Sequence, residues 1–246
     1  MSSKIFATET LTVGGIAITL QRKPIKNINL KVHQPEGRVS ISAPLNVDRE
    51  TVRQFAESKL GWIQRKQAKV RSQRPPMVRQ YISGEIHFFQ GQPYKLQVHS
   101  TAGKQRVEHQ KSDGEHRGSL HLYVRPAVGI AQREQVLYDW YRQQLKAIAP
   151  VLVKQWEPIM GVRVDEVRVK RMKTRWGTCN IPKRRVWLNT ELMRSPSHCL
   201  EYVVVHEMTH LLERLHNDRF HRLLGQFLPT YKIAERDLGR TVTLEN

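Results

Sequence analysis

The stretch Val203-Val204-Val205-His206-Glu207-Met208-Thr209-His210 decides how the rest of the chain is interpreted. His206, Glu207 and His210 form the pattern H-E-x-x-H, which on a helix places two imidazoles on one face with Cβ atoms about 5 to 6 Å apart. That spacing suits two ligands of one zinc ion. Glu207 points about 100° away from His206. We therefore expect it to hold and deprotonate a water molecule instead of binding the metal.

The residues around this motif have the periodicity of an amphipathic helix. Pro196 stands near the expected helix start, where its missing N–H costs no hydrogen bond, and Ser195 is a candidate N-cap. Apolar side chains recur with the 3.6-residue period at Leu200, Val203, Val204, Met208, Leu211, Leu212 and Leu215. The pattern predicts that both histidines lie at the edge of a buried face.

His216 is the first candidate for a third ligand. On a continuous helix it would point about 100° or more away from the other two histidines, so the helix must end or bend between Arg214 and Asn217. The spacing equals that of the metzincin motif, but Glu213 stands where that motif has its turn glycine, which argues against a metzincin. His221, Glu213 and Glu235 are reserve ligands.

The composition indicates a globular protein. Of 246 residues, 39% are hydrophobic and 26% are charged, and no apolar run approaches the roughly 18 residues of a membrane span. The segment Met1 to Phe6 lacks the apolar core of a signal peptide, so the cytoplasm is the expected location and no membrane partner is expected. Cys179 and Cys199 form no C-x-x-C pair, which argues against a disulfide framework or a cysteine zinc ribbon.

The charge is unusual, because 41 Lys and Arg against 22 Asp and Glu give a net charge of +19. The densest basic segment, residues 163–185, precedes the H-E-x-x-H helix. Such a balance favours polyanions such as nucleic acid or nucleotide phosphates. A diffuse basic surface that only keeps the protein soluble is the alternative.

The order of the predicted elements indicates an α+β fold. Strands in an antiparallel sheet or meander are predicted within residues 9–45, followed by one helix near 46–71. Further strands are predicted at 81–89, 94–98, 106–108, 119–124, 162–169 and 185–189, and further helices at 131–157 (kinked or restarted at Pro150), before Pro229 and at 231–238. No internal repeat is visible. We predict a β-rich region over residues 1–128 and a metal-hydrolase domain over residues 129–246.

Several ordered motifs resemble the YgjP-like metallopeptidase-domain family, a relative of the SprT-like zincins. They are Arg175-Trp176-Gly177-Thr178-Cys179, Trp187-Leu188-Asn189, Tyr202 to His210 and His216-Asn217-Asp218-Arg219-Phe220, with Gly37-Arg38-Val39, Ser42-Ala43-Pro44, Trp62-Ile63 and Tyr94-Lys95-Leu96 in the N-terminal half. The resemblance implies a zincin-like, minigluzincin-type core with zinc on His206, His210 and His216 and with Glu207 as general base. The family usually has serine in place of Thr178 and tryptophan in place of His221.

Substrate contacts are expected from Arg175, Trp176, Trp187, Asn189 and His221. Strand 185–189 is a candidate to pair with an extended substrate, although an ordinary core strand is an equal alternative. Candidate oxyanion donors are Arg175, Tyr231 and His221.

The predicted function is zinc-dependent hydrolysis of a peptide or protein, although another divalent metal can replace zinc on three imidazoles. Two alternatives stay open. One is a metal-dependent nucleoside triphosphate pyrophosphatase, which the basic segment would serve. The other is a nucleic-acid-associated protein or DNA-linked protease.

Overall fold

The structure, a computed structural model, describes residues 7–33, 36–72, 79–112 and 118–243, without the side chains of residues 72 and 240–243. The segment Met1 to Phe6 thus lies outside the described residues. Two compact units are present, the first within residues 7–72 and the second within residues 79–243. This division differs from the expected boundary after residue 128. The second unit has one apolar core to which both its strands and the later helices contribute, from Tyr81 to Leu238.

The first unit is a four-stranded sheet covered by two helices. Its strands are β1 (Ala7–Val13), β2 (Ile16–Lys23), β3 (Asn29–Val32) and β4 (Val39–Pro44), in the order β1-β2-β4-β3. The predicted antiparallel meander is therefore wrong in one respect, because β4 inserts beside β2 and runs parallel to it.

The single helix predicted for residues 46–71 is two helices, α1 (Arg49–Ser58) and α2 (Leu60–Ser72). Asp48 caps α1 by accepting a hydrogen bond from the Thr51 N–H at 2.7 Å. Lys59 interrupts the helical path with φ −105° and ψ 3°. The sequence predicted one helix because a break in the backbone at a single residue does not alter the spacing of the apolar side chains.

The second unit begins with another four-stranded sheet. Its strands are β5 (Ile86–Phe89), β6 (Gln92–Ser100), β7 (Arg106–Gln110) and β8 (Ser119–Val124), in the order β5-β6-β8-β7 with β6 and β8 parallel. This is the strand order and direction of the first sheet. The two units therefore share a topological repeat that the sequence does not display.

The remaining elements surround the H-E-x-x-H helix. They are α3 (Ile130–Met160), β9 (Glu166–Lys170), β10 (Gly177–Asn180), β11 (Arg185–Asn189), a 3-10 turn at Thr190–Arg194, α4 (Ser197–Thr209), α5 (Asp218–Phe227) and α6 (Tyr231–Thr243). Of the two outcomes predicted at Pro150, a kink or a restart, the restart is wrong, because α3 is continuous through this residue. The protein is thus a mixed α and β structure, as predicted. Among the described helices, none combines the length and apolar character needed to cross a bilayer.

The three-stranded sheet of this region has the order β10-β11-β9. Strand β11 pairs with β10 on one side, antiparallel, and with β9 on the other, parallel. Both of its edges are occupied, so the expectation that residues 185–189 pair with a substrate is wrong. Strand β10 also contacts α4, and among the described strands it pairs with β11 alone.

Candidate metal centre

Helix α4 is held in the core by its apolar face. Val204, Val205 and Met208 are fully buried, and Val203 and Leu200 nearly so. His206 lies on the last turn, and His210 follows as the C-cap with helical backbone angles, φ −63° and ψ −17°. The i, i+4 relation therefore persists past the end of the helix. The two imidazole centroids are 5.2 Å apart.

The chain turns directly after the second histidine, earlier than the predicted 214–217. The Thr209 hydroxyl donates to the Val205 carbonyl at 2.7 Å, and the Thr209 carbonyl accepts from the N–H groups of Leu212 and Glu213, both at 2.9 Å. These short-range hydrogen bonds close a tight turn. The turn leaves six residues, 210–215, to bring the chain back across the end of α4.

Glu213 organises this return segment and is not a metal ligand. Its carboxylate accepts from the Leu215 N–H at 3.2 Å and pairs with Arg219 at 3.2 Å, while its carbonyl accepts from His210 Nδ1 at 3.2 Å. The last bond places the proton of His210 on Nδ1 and leaves the Nε2 lone pair available. Glu213 thus fixes both the loop and the tautomer of a ligand histidine.

The returning segment brings His216 against the first two histidines. His216 Nε2 lies 3.0 Å from His206 Nε2. One ring nitrogen from each of the three histidines lies within 4.8 Å of the others, and this is the one His, Cys, Asp or Glu cluster of metal-binding geometry among the described residues. Burial, followed by the neighbouring imidazoles His210 and His216, lowers the pKa of His206 to about 4. The three predicted ligands therefore converge.

Phe220 forms the floor beneath the three imidazoles. Its ring centroid lies 5.0, 4.8 and 4.7 Å from those of His206, His210 and His216, and the side chain is fully buried. Asn217 caps α5 by accepting from the Phe220 N–H at 3.0 Å. The cap and the ring together fix the position of His216, which precedes Asn217 directly.

Glu207 lies beside the histidines on the face of α4 towards β10. Its side chain is buried, and burial raises the pKa of the carboxyl to about 8, although Arg175 acts in the opposite direction. A Cβ atom on Gly177 would lie 2.7 Å from both Cγ and Oε1 of Glu207. The absence of a side chain at residue 177 is therefore what allows the carboxylate to fit against the strand.

An open cleft of about 570 Å³ connects these groups. Its walls are the three histidines, Glu207, residues 175–179 of β10 and the preceding loop, and Ile181, Tyr202, Val203, Arg214 and Leu238. Arg175 and Arg214 are its cationic side chains, and both are exposed. The cleft thus combines a converging set of imidazoles, one carboxylate and two guanidinium groups.

Arg175 and Trp176, two of the candidates for substrate contact, line the cleft, but three other candidates lie elsewhere. Trp187 is on the opposite face of β11 from the core, under the Lys170 ammonium at 4.5 Å. Asn189 is buried and its amide is used internally, donating to the Met172 and Arg175 carbonyls at 2.9 and 2.8 Å. It holds the loop that carries Arg175. His221 is exposed on α5 and belongs neither to the ligand cluster nor to the cleft wall.

Two further candidates also stand apart from the cleft. Tyr231 stacks on Tyr202 at a centroid distance of 6.3 Å without lining the cleft, and Glu235 is exposed on α6. Neither is placed to serve as an oxyanion donor or a ligand.

From the sequence no site role was assigned to Gly177, Tyr202, Arg214 and Phe220, although all but Arg214 stand in the family motifs. Tyr202 stands four residues before His206, and Phe220 four residues after His216, so helical spacing from the histidines is a signal for both. Gly177 and Arg214 depend on how β10 and the return loop pack against α4, which local patterns do not encode.

A family model described as "YgjP-like, metallopeptidase domain" matches residues 26–241. No curated protein sequence is significantly similar to the chain. Among solved structures, the metallopeptidase zymogen of Pyrococcus abyssi abylysin is similar with 19% identity and a TM-score of 0.35, over 37% of this chain and 91% of that one.

Proposed function

We propose that this chain, which belongs to the YgjP-like metallopeptidase-domain family, is a zinc-dependent peptidase with Glu207 as its general base. The observation that carries the proposal is the convergence of three imidazole nitrogens beside a buried carboxylate in an open cleft. In this proposal α4, α5 and the β10-β11-β9 sheet form a zincin-like core of the minigluzincin type. Cys179 and Cys199 are both free thiols, which supports a reducing, cytoplasmic location.

The donor set fits zinc. His206 Nε2 and His216 Nε2 face each other, and His210 presents Nε2 because its Nδ1 proton is donated to Glu213. Among the described residues, none forms a hydrogen bond with the buried His206 Nδ1. Nε2, which faces His216, is therefore the nitrogen of this ring proposed to bind zinc. Three imidazoles suit a catalytic zinc site, in which the fourth position stays open for water or substrate.

His206, His210 and His216 would hold the zinc ion, which would supply Lewis acidity to lower the pKa of a water molecule and polarise a scissile carbonyl. In this proposal the Glu207 carboxylate takes the proton from the attacking water and passes it to the departing amine nitrogen. The carboxylate lies in the space left by the missing side chain at Gly177. Arg175, at the rim of the cleft, is the candidate donor to the developing negative charge.

Strand β10 is proposed to bind the substrate backbone. It lines the cleft through Gly177, Thr178 and Cys179, and in the described part of the chain no strand pairs with its second edge. An extended peptide added to that edge would gain main-chain hydrogen bonds and lie along the histidine cluster. This moves the pairing role from β11, where the sequence placed it, to its neighbour.

Nucleotide pyrophosphatase activity is the second candidate, and Arg175 and Arg214 in the cleft wall are the observation that favours it. Guanidinium groups bind phosphate oxygens in a bidentate manner. The same pair would equally bind the carboxylates of an acidic peptide, so the arginines do not decide between the two substrates.

One assay separates the candidates. The zinc-loaded protein is incubated with a mixture of denatured peptides and nucleoside triphosphates, and the products are identified by mass spectrometry, with Glu207→Gln as the blank. Peptide fragments formed by the wild type alone support the peptidase. Nucleoside monophosphates with intact peptides would overturn it in favour of the pyrophosphatase.

A further inference from the structure

Helix α2 carries positive charge for which the proposed peptidase has no use. Its 13 residues include Arg65, Lys66, Lys69 and Arg71 and no acidic residue. The helix belongs to the first unit, whereas the metal centre belongs to the second. The net charge of +19 is therefore not explained by the cleft alone.

One face of α2 combines these cations with an aromatic ring. At 100° per residue, Trp62, Arg65, Lys66 and Lys69 fall within about 100° of one another and extend over about 10 Å of the helix. All four are exposed, Trp62 to 37%, while Ile63 on the inner side is fully buried in the core of the first unit. We call these four residues the α2 stripe.

Arg65 and Lys66 of the α2 stripe differ from the arginines of the neighbouring helix in how their charges are compensated. On α1, Arg49 pairs with Glu9 at 3.3 Å and Arg53 with Glu57 at 3.1 Å. For Arg65 and Lys66, the structure shows no ion pair with any residue in the described ranges. Lys66 instead lies over the Trp62 ring, 5.8 Å from its centroid. Within the described ranges the stripe thus presents two cations without an ion pair, Arg65 and Lys66, beside an accessible indole.

We propose that the α2 stripe binds single-stranded nucleic acid. Cations spaced along a helix complement a chain of phosphates, and an exposed indole offers a stacking surface to an unpaired base. An anionic membrane is the less suitable partner. The apolar face that a membrane-binding helix would insert is already buried against the sheet, with Ile63 fully enclosed.

The test measures binding of a short fluorescein-labelled oligouridylate to the full-length protein by anisotropy over a series of salt concentrations. Replacement of Arg65 and Lys66 by Gln should weaken binding and reduce the slope of log K against log[salt] by about 1.4, or about 0.7 for each lost phosphate contact. Trp62→Ala should weaken binding roughly tenfold through lost stacking, with little change in slope.

A charge-matched control uses Lys146 and Lys154, which are exposed on α3. Their double replacement by Gln removes the same charge elsewhere and should change binding little. Arg175→Gln tests whether the oligonucleotide enters the cleft instead, and binding should be retained. Circular dichroism checks that each variant is folded, and Trp62→Phe gives a second, milder variant of the ring.

Equal loss of affinity in the two double variants would overturn the proposal, because binding would then follow net charge alone. Loss of binding in Arg175→Gln would overturn it in favour of the cleft. Binding to phosphatidylglycerol vesicles that depends on Trp62, with none to the oligonucleotide, would overturn it in favour of a membrane surface. Since none of these readouts measures hydrolysis, the result is independent of the proposed peptidase activity.

Discussion

Replacement of Gly177 by Ala should reduce turnover without removing the metal. The added Cβ would lie 2.7 Å from Glu207 Oε1, whereas ordinary van der Waals contact begins near 3.4 Å, so about 0.7 Å of displacement is required. The strand cannot easily supply that movement, because Gly177 is paired with Leu188 across the sheet. The Glu207 side chain, at the end of a rotatable stem, should move instead.

A displacement of this size should lower kcat roughly tenfold to a hundredfold, since misplacing a catalytic group by about 1 Å can cost a factor of about 100. Overpacking should also lower the free energy of unfolding by about 1 to 3 kcal/mol. The zinc content should stay at the wild-type level, because the three atoms nearest the new methyl group all belong to Glu207.

The assay compares kcat on a cleaved peptide, zinc content by mass spectrometry and urea unfolding. Gly129→Ala is the matched control, since a Cβ there meets nothing within 4 Å and the backbone is in an ordinary extended conformation with φ −76°. Wild-type kcat in Gly177→Ala would refute the role of Glu207 as a positioned base. Loss of zinc in parallel with activity would refute the assignment of the effect to the carboxylate.

Three further predictions concern the ligand set, the loop that carries Arg175 and the pH dependence of stability. His216→Ala should reduce zinc content and abolish hydrolysis, whereas His221→Ala should leave zinc content unchanged; equal zinc loss in both would contradict the ligand assignment. Asn189→Ala removes four hydrogen bonds to the backbone and should lower the free energy of unfolding, measured in urea, by about 3 kcal/mol. The exposed control Asn180→Ala should lower it by less than about 1 kcal/mol, and similar values for the two variants would contradict the role of Asn189 in holding the loop. Burial, followed by Arg79, lowers the pKa of His87 from 6.5 to about 4, so between these pH values the unfolded chain binds more protons than the folded one. The free energy of unfolding should therefore fall by at most about 3 kcal/mol as the pH drops from 6.5 towards 4. His87→Gln should flatten this pH dependence in urea titrations.

The helix and its two histidines were predictable because their signal is local. The i, i+4 spacing holds even though His210 lies beyond the last helical residue, Thr209. A reversal of the chain before His216 was also predictable, because His216 cannot reach the other two histidines from a continuous helix. The position of the reversal was not, because it depends on the Thr209 carbonyl and on Glu213, whose hydrogen bonds form only in the folded loop.

The errors concern contacts between residues far apart in the sequence. Strand β11 has the composition of either a core or an edge strand, and only its pairing with β9 and β10 places it in the middle. In the same way, the repeated strand order of the two four-stranded sheets depends on parallel pairing of β2 with β4 and of β6 with β8. Alternation along a strand identifies its faces but not its neighbours.

The short free edge of β10 has a consequence for the state of any protein that is cleaved. The strand has four residues, Gly177–Asn180, and therefore spans only about 13 Å of extended chain. A partner strand of that length gains few main-chain hydrogen bonds, too few to pull a segment out of a folded sheet. In the proposed binding mode, the protein would therefore leave compact proteins intact and cut chains that are already unfolded or exposed in long loops. Its targets would then be set by their conformation more than by their sequence.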